Sequence, residues 1–168
     1  AVPTAPIVGA ITQPSCTVST GSVVLSGLPS GTWTINPGAI IGSGTNITVS
    51  GLGSGNHAYT VTNDAGCTSV ASVNILINVQ PVTPSAPIVG TITHPTCIVP
   101  SGSVVLSGLP ATGIWTIPRF PGTIKSTGTG TSTTISGLAP GIYNYNVTNA
   151  EGCTSALSAD IVIYTFPS

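Results

Sequence analysis

Gly21-Ser22-Val23-Val24-Leu25-Ser26-Gly27-Leu28-Pro29 returns unchanged as Gly102-Ser103-Val104-Val105-Leu106-Ser107-Gly108-Leu109-Pro110. Within it, Val23 and Leu25 alternate with Ser22, Val24 and Ser26. That is the period of a strand covered on one face, and the Gly-Leu-Pro that follows ends it. Nine identical residues at an offset of 81 (Gly21 to Gly102) make the chain a tandem repeat, with one such strand in each copy.

The likeness extends outward in both directions. Ala5-Pro6-Ile7-Val8-Gly9 recurs as Ala86-Pro87-Ile88-Val89-Gly90, and Trp33-Thr34-Ile35 as Trp115-Thr116-Ile117. Val61-Thr62-Asn63 and Gly66-Cys67-Thr68-Ser69 recur as Val147-Thr148-Asn149 and Gly152-Cys153-Thr154-Ser155, where the offset has grown to 86 (Asn63 to Asn149). The second copy therefore carries small insertions, one before Trp115 and the rest between Pro118 and Thr131, which mark a loop there. Solenoid repeats run about 20–50 residues, so this period is too long for stacked layers. It suits a self-sufficient sandwich of the immunoglobulin type, about 100 residues long. The expected architecture is all-β: two tandem immunoglobulin-like β-sandwich domains of about seven strands each. The first spans residues 1–80 and the second 86–168, joined by a Pro-rich linker over 81–85 that favours an extended connector. Phe166-Pro167-Ser168 echoes Thr83-Pro84-Ser85, so the array is expected to continue, and a start at Ala1-Val2-Pro3 reads as a mature or excised segment.

Further strands follow from alternation. Tyr143, Tyr145 and Val147 share one face of a strand, matched in the first copy by His57, Tyr59 and Val61. Ile47 and Val49 form another inward set. Val73, Ile75, Ile77 and Val79 read as the last strand of the first copy, and Ala159, Ile161 and Ile163 as its counterpart. Trp33, Trp115, Tyr59 and Tyr145 are the expected core, since burying such rings contributes several kcal/mol each.

Composition excludes several functions. Two basic and three acidic residues leave a net charge of -1, so no surface here suits nucleic acid. No run approaches the 18 apolar residues of a membrane-spanning helix, and no membrane insertion is expected. With 21 Gly, 15 Pro and no Met, the chain reads as short strands and many turns.

The four cysteines, Cys16, Cys67, Cys97 and Cys153, fall two per copy in matching places. An even, repeated count fits disulfides and an extracellular location. Four cysteines permit three connectivities. The bead-like period favours Cys16–Cys67 and Cys97–Cys153, each closing a loop of about 50 residues and contributing on the order of 4 kcal/mol.

The histidines and the lysine do not recur. The histidines, His57 and His94, are replaced across the repeat by Tyr143 and Gln13, which two copies of one active site would not do. Three acids are too few for paired carboxylates or a calcium site; Asp64 and Glu151 fit the turn before each second cysteine. No enzyme, cofactor or metal is expected. Lys125, the sole lysine, has no acid beside it in sequence to support an isopeptide crosslink. Asn46-Ile47-Thr48 and Asn146-Val147-Thr148 match the glycosylation sequon, yet each includes an inward strand residue. Thr127-Gly128-Thr129-Gly130-Thr131-Ser132-Thr133 reads as a Gly/Thr loop entering a strand rather than an ice-binding face.

Leu138-Ala139-Pro140-Gly141-Ile142-Tyr143, followed by the Val/Thr strand and the Asn149-Ala150-Glu151-Gly152-Cys153 turn, resembles the SprB-type repeat of Bacteroidota surface proteins. The first copy departs from that pattern with His57 at the first Tyr position, and both turns carry Asn63 or Asn149 where Asp is common. The resemblance implies Ig-like or PKD-like beads in large secreted adhesins, gliding-motility adhesins among them, exported by the type IX secretion route. The expected role is a structural or adhesive repeat segment of a cell-surface protein, acting as spacer stalk or fibre. Its partners would be neighbouring repeats and, in a filament, other copies. The alternative is a carbohydrate- or surface-binding module using loop 118–131, with Arg119, Phe120 and Lys125 as the binding residues.

Overall fold

The structure, a computed structural model, describes residues 1–118 and 125–165. The chain divides into two compact units, Ala1–Pro81 and Val82–Ser168. Both are all-β sandwiches.

In the first unit, β1 (Ile7–Thr12), β2 (Gly21–Ser26) and β5 (Asn46–Leu52) form one antiparallel sheet, with β2 in the centre. The facing layer holds β4 (Ile40–Ser43), β3 (Thr32–Asn36) and β7 (Thr60–Asn63) in that order, and a pair made by β6 (Gly55–His57) and β8 (Ile75–Ile77). The second unit repeats this with β9 (Ile88–Thr93), β10 (Gly102–Ser107) and β13 (Ser132–Leu138) in one sheet. Opposite lie β11 (Trp115–Pro118) paired with β12 (Lys125–Gly128), and β14 (Gly141–Tyr143) paired with β15 (Ile161–Ile163). Alternation along the recurring Gly-Ser-Val-Val-Leu-Ser strand holds: Val23, Leu25, Val104 and Leu106 are fully buried.

Each core centres on its tryptophan. Trp33 lies opposite Gly42 across the β3–β4 ladder, and Trp115 opposite Gly128 across β11–β12. The indole lies flat over the glycine: a Cβ on Gly128 would fall 2.6 Å from Trp115 Cζ2, and one on Gly42 would overlap the Trp33 ring. The indole N–H donates to the carbonyl of the next glycine, Gly44 or Gly130, at 2.8 Å in both units. A ring this large is thus buried with its one donor satisfied. The Gly/Thr run is therefore more than a loop. It forms the end of β12, the turn at Gly130 and the start of β13, and its glycines serve Trp115. Lys125 likewise lies on a strand, opposite Pro118, with its side chain exposed.

Two strand expectations need correction. The run from Tyr143 to Val147 is not one strand. β14 ends at Tyr143, and in the first unit the chain divides into β6, paired with β8, and β7, paired with β3. The last strand is also shorter than its alternation suggests: Val73, Val79 and Ala159 are exposed, leaving Ile75–Ile77 and Ile161–Ile163. The physical reason is a change of period before each last strand. Ser69, Ser72 and Ile75 are buried at every third position, as are Ser155, Ser158 and Ile161. A three-residue period belongs to a polyproline-like path, which makes no ladder of its own.

The serines supply what that path lacks. The backbone N–H groups of Val61 and Tyr59 donate to Ser69 Oγ (3.0 Å) and Ser72 Oγ (3.1 Å). The serine N–H groups return bonds to the carbonyls of Val61 (2.9 Å) and Tyr59 (2.8 Å). Each hydroxyl passes its own hydrogen to the carbonyl of the following residue, Val70 or Val73. The second unit repeats every bond, with Ser155 and Ser158 against Val147 and Tyr145. Buried backbone groups must find partners, and here a side-chain oxygen takes the place of a strand carbonyl.

Candidate functional surface at the two ends of each unit

Strand directions give each unit a leading end, where the chain enters, and a trailing end, where it leaves. β2 starts beside Thr12 and finishes beside Ile7, so the β1–β2 loop and the turn after β7 lie at opposite ends. Six residues of β2 separate them by about 20 Å.

The leading end is organised by an asparagine. Asn63 Oδ1 accepts from Cys67 N–H (2.9 Å), and its Nδ2 donates to the carbonyl of Ala1 (2.9 Å). Asn149 does the same with Cys153 N–H and the carbonyl of Val82, both at 2.9 Å. An aspartate could accept the first bond but has no hydrogen for the second, which accounts for Asn at a position where the resembled repeat favours Asp. Glu151 adds a bond from Asn149 Nδ2 at 3.3 Å. Asp64 and Glu151 are turn residues on exposed surface.

The trailing end is tied by whatever acceptor stands at the start of the β1–β2 loop. Asn78 N–H donates to Gln13 Oε1 at 2.8 Å, and Tyr164 N–H to His94 Nδ1 at 3.3 Å. His94 also stacks on Tyr164 with ring centroids 4.8 Å apart. The other histidine has an equally structural task. His57 Nε2 meets the carbonyl of Gly53 at 2.8 Å, and Tyr143 Oη donates to the equivalent carbonyl of Ala139 at 2.8 Å. Facing a carbonyl, the His57 nitrogen must be the donor, so both side chains make the upstream-reaching bond of a tyrosine corner. Sequence comparison saw only that the residues differ. The signal that could have found the shared role is that each acceptor lies four residues upstream.

The cysteines require a correction. Cys67 and Cys97 are free thiols, so neither Cys16–Cys67 nor Cys97–Cys153 is formed. Cys16 and Cys153 are disulfide-bonded. Within a unit the two cysteines stand at opposite ends: Cys16 by its carbonyl's bond from Gln80 Nε2 at the trailing end, and Cys67 on Asn63 at the leading end. A disulfide needs Cα atoms within about 7 Å, and the length of a strand lies between them.

Trp33, Trp115, Tyr59 and Tyr145 are all buried. Burial pushes the Tyr59 phenol above its usual pKa. Arg119 and Phe120 of the expected binding loop lie outside the described residues, and Lys125 stands apart on β12. Asn46 of the first sequon is exposed at the start of β5, whereas Asn146 of the second is half-buried and Val147 beside it fully so. Among the described residues no cluster of three His, Cys, Asp or Glu could hold a metal, and no helix is long and apolar enough to cross a membrane.

No protein-family model matches the chain, and no curated protein matches it. Solved structures do. The human OSCAR ligand-binding domain aligns at 13% identity and a TM-score of 0.41, over 97% of this chain and 100% of that one. The FN1–FN3 domains of chicken CNTN1 align at 12% and 0.46, over 98% and 67%. The BSP domain of a biofilm-associated protein aligns at 17% and 0.35, over 96% of this chain and 29% of that one.

Proposed function

We propose that this chain is a structural and adhesive repeat segment of a secreted bacterial cell-surface protein, in which the units act as spacer beads of a stalk or fibre. The observation that carries this reading is what the two units share. Every recurring bond serves the scaffold: indole to glycine carbonyl, serine to strand backbone, asparagine to the arriving chain. Cysteines apart, side chains able to do chemistry either differ between units or are absorbed into such bonds, as His57 and His94 are. With so few charges, the surface changes little with salt or pH. The SprB-like sequence pattern supports an extracellular location, with gliding adhesins and the type IX route as the setting it implies.

The test is a glycan array probed with the two-unit chain, alongside a parent surface protein from which the segment is deleted. The expected result is no glycan captured, and a shortened parent that keeps its ligand but loses reach. Capture of a defined glycan, abolished by Arg119→Ala, Phe120→Ala or Lys125→Ala, would replace the spacer with the binding-loop reading.

A further inference from the structure

We propose that β5 (Asn46–Leu52) is a self-pairing edge, through which the first unit of one copy of this chain joins the first unit of a second copy as an antiparallel strand pair, with β13 (Ser132–Leu138) offering the same kind of edge in the second unit. The proposal takes up the fibre reading, in which other copies are partners, and names the contact.

A sheet edge presents unpaired backbone donors and acceptors, which folds blunt with short strands, charges, prolines, bulges or a covering segment. The other edges of the first unit are blunted in these ways. β1 follows Pro6 and is broken by a bulge between Val8 and Ile11. β7 is covered by the serine path, whose Ser69 and Ser72 N–H groups donate to the carbonyls of Val61 and Tyr59. β4 is four residues long, and β6 and β8 are three each. β5 has none of these devices. It stands at the end of the β1-β2-β5 order, carries no charge and no proline, and keeps regular register with β2 from Asn46 opposite Ser26 to Ser50 opposite Ser22. The register shifts only beyond that stretch, at Gly51. In the second unit β13 holds the same place and keeps regular register with β10 from Ser132 to Ser136. Asn46, Ile47 and Val49 give way there to Ser132, Thr133 and Ile135, and no change brings in a charge or a proline.

The occupant follows from the residues. Asn46, Thr48 and Ser50 are exposed, Val49 is buried and Ile47 half-buried. Turned about a two-fold axis at Thr48, the strand meets itself with Thr48 opposite Thr48, Asn46 opposite Ser50 and Ile47 opposite Val49. Polar pairs then share the outer face and aliphatic pairs the core face. Both are favourable across strands, and like charges directly opposite, which would oppose self-pairing, are absent. A second copy brings this strand already held extended by β2, whereas a free peptide would first have to be ordered. The same patch serves on both partners, so each contact closes as a two-fold pair. Pairing of one short edge buries less than about 1,200 Å², the range of weak and transient contacts.

The experiment uses the whole chain with the free thiols of Cys67 and Cys97 alkylated, so that no new disulfide joins copies. Sedimentation equilibrium and amide proton–nitrogen spectra follow it up to about 1 mM, as a weak contact requires. The expected result is reversible self-association, with concentration-dependent amide shifts gathered at residues 46–50 and 132–136. Thr48→Lys combined with Thr134→Lys should weaken association by about tenfold or more, because like charges then face each other. Thr48→Glu with Thr134→Glu should do the same, and an equimolar mixture of the two variants should restore it. Thr12→Lys puts the same charge on the blunted edge β1 and should change nothing. Far-ultraviolet circular dichroism confirms that each variant is folded. A chain that stays monomeric throughout, shifts centred elsewhere, a mixture that fails to recover, or an equal loss with Thr12→Lys would overturn the proposal. So would edge amides that move only when a synthetic peptide of residues 46–50 is added, which would give the edge to a peptide partner instead. The spacer reading is judged separately by the glycan and deletion tests, so either can fail alone.

Discussion

His57 in the first unit and Tyr143 in the second reach back to equivalent carbonyls at the same 2.8 Å. Gln13 and His94 accept from equivalent backbone N–H groups at the opposite end. The cysteines show the reverse: Cys16 and Cys97 are the same residue in the same loop, yet one is bonded and the other free. Between the two units, then, different residues do one job and identical residues do different ones. What the repeat maintains is a hydrogen-bond role where the bond is internal.

The widest test of this comparison is to truncate the tryptophans. Trp33→Ala and Trp115→Ala should each destabilise its own unit by about 3–5 kcal/mol, as large aromatic-to-alanine changes in cores do. Denaturant unfolding of the whole chain, with hydrogen exchange assigning the loss to a unit, checks it. Similar costs are expected because each ring rests on a glycine and donates to a glycine carbonyl; a clear inequality would break the equivalence of the cores.

Next come the serine relays. Ser72→Ala and Ser158→Ala remove the acceptor for a buried N–H, which costs about 1–3 kcal/mol when a group is left unpaired. Loss of amide protection at Tyr59 and Tyr145 respectively is the readout, and unchanged exchange at those amides would remove the relay from the account.

The corner residues sharpen the comparison further. Tyr143→Phe should cost about 0.5–1.5 kcal/mol, the net worth of one hydrogen bond. His57→Tyr should be tolerated with little change in midpoint, while His57→Phe should behave like Tyr143→Phe. A His57→Tyr variant as damaged as the Phe variant would mean that the two corners are not interchangeable.

The smallest effect is expected in alkali. Burial raises the Tyr59 phenol's pKa in the folded chain. Its neutral form is therefore favoured by folding: the contribution is intact below the unfolded value of about 10 and is lost as pH rises through the folded one. Spectrophotometric titration should show this phenol ionising later than in the unfolded chain, and Tyr59→Phe should flatten the alkaline loss of stability.

Much of this molecule is legible in the order of its residues. The nine-residue repeat sets two units, the spacing of Val23 and Leu25, and of Val104 and Leu106, at every second residue sets their central strands, and Trp33 and Trp115 mark the cores, because burial of apolar area follows a local period. The scarcity of charge and the failure of the histidines and the lysine to recur are equally local facts. Three things depended on the tertiary structure. The buried serines look like polar surface until the path beside Val61 and Val147 turns them inward at every third residue. The shared role of His57 and Tyr143 depends on a carbonyl that only the folded corner presents. That the two cysteines of a unit cannot pair turns on which end of a sandwich each loop occupies. That is set by the summed directions of all the strands between them, and an even count at matching positions carries no trace of it.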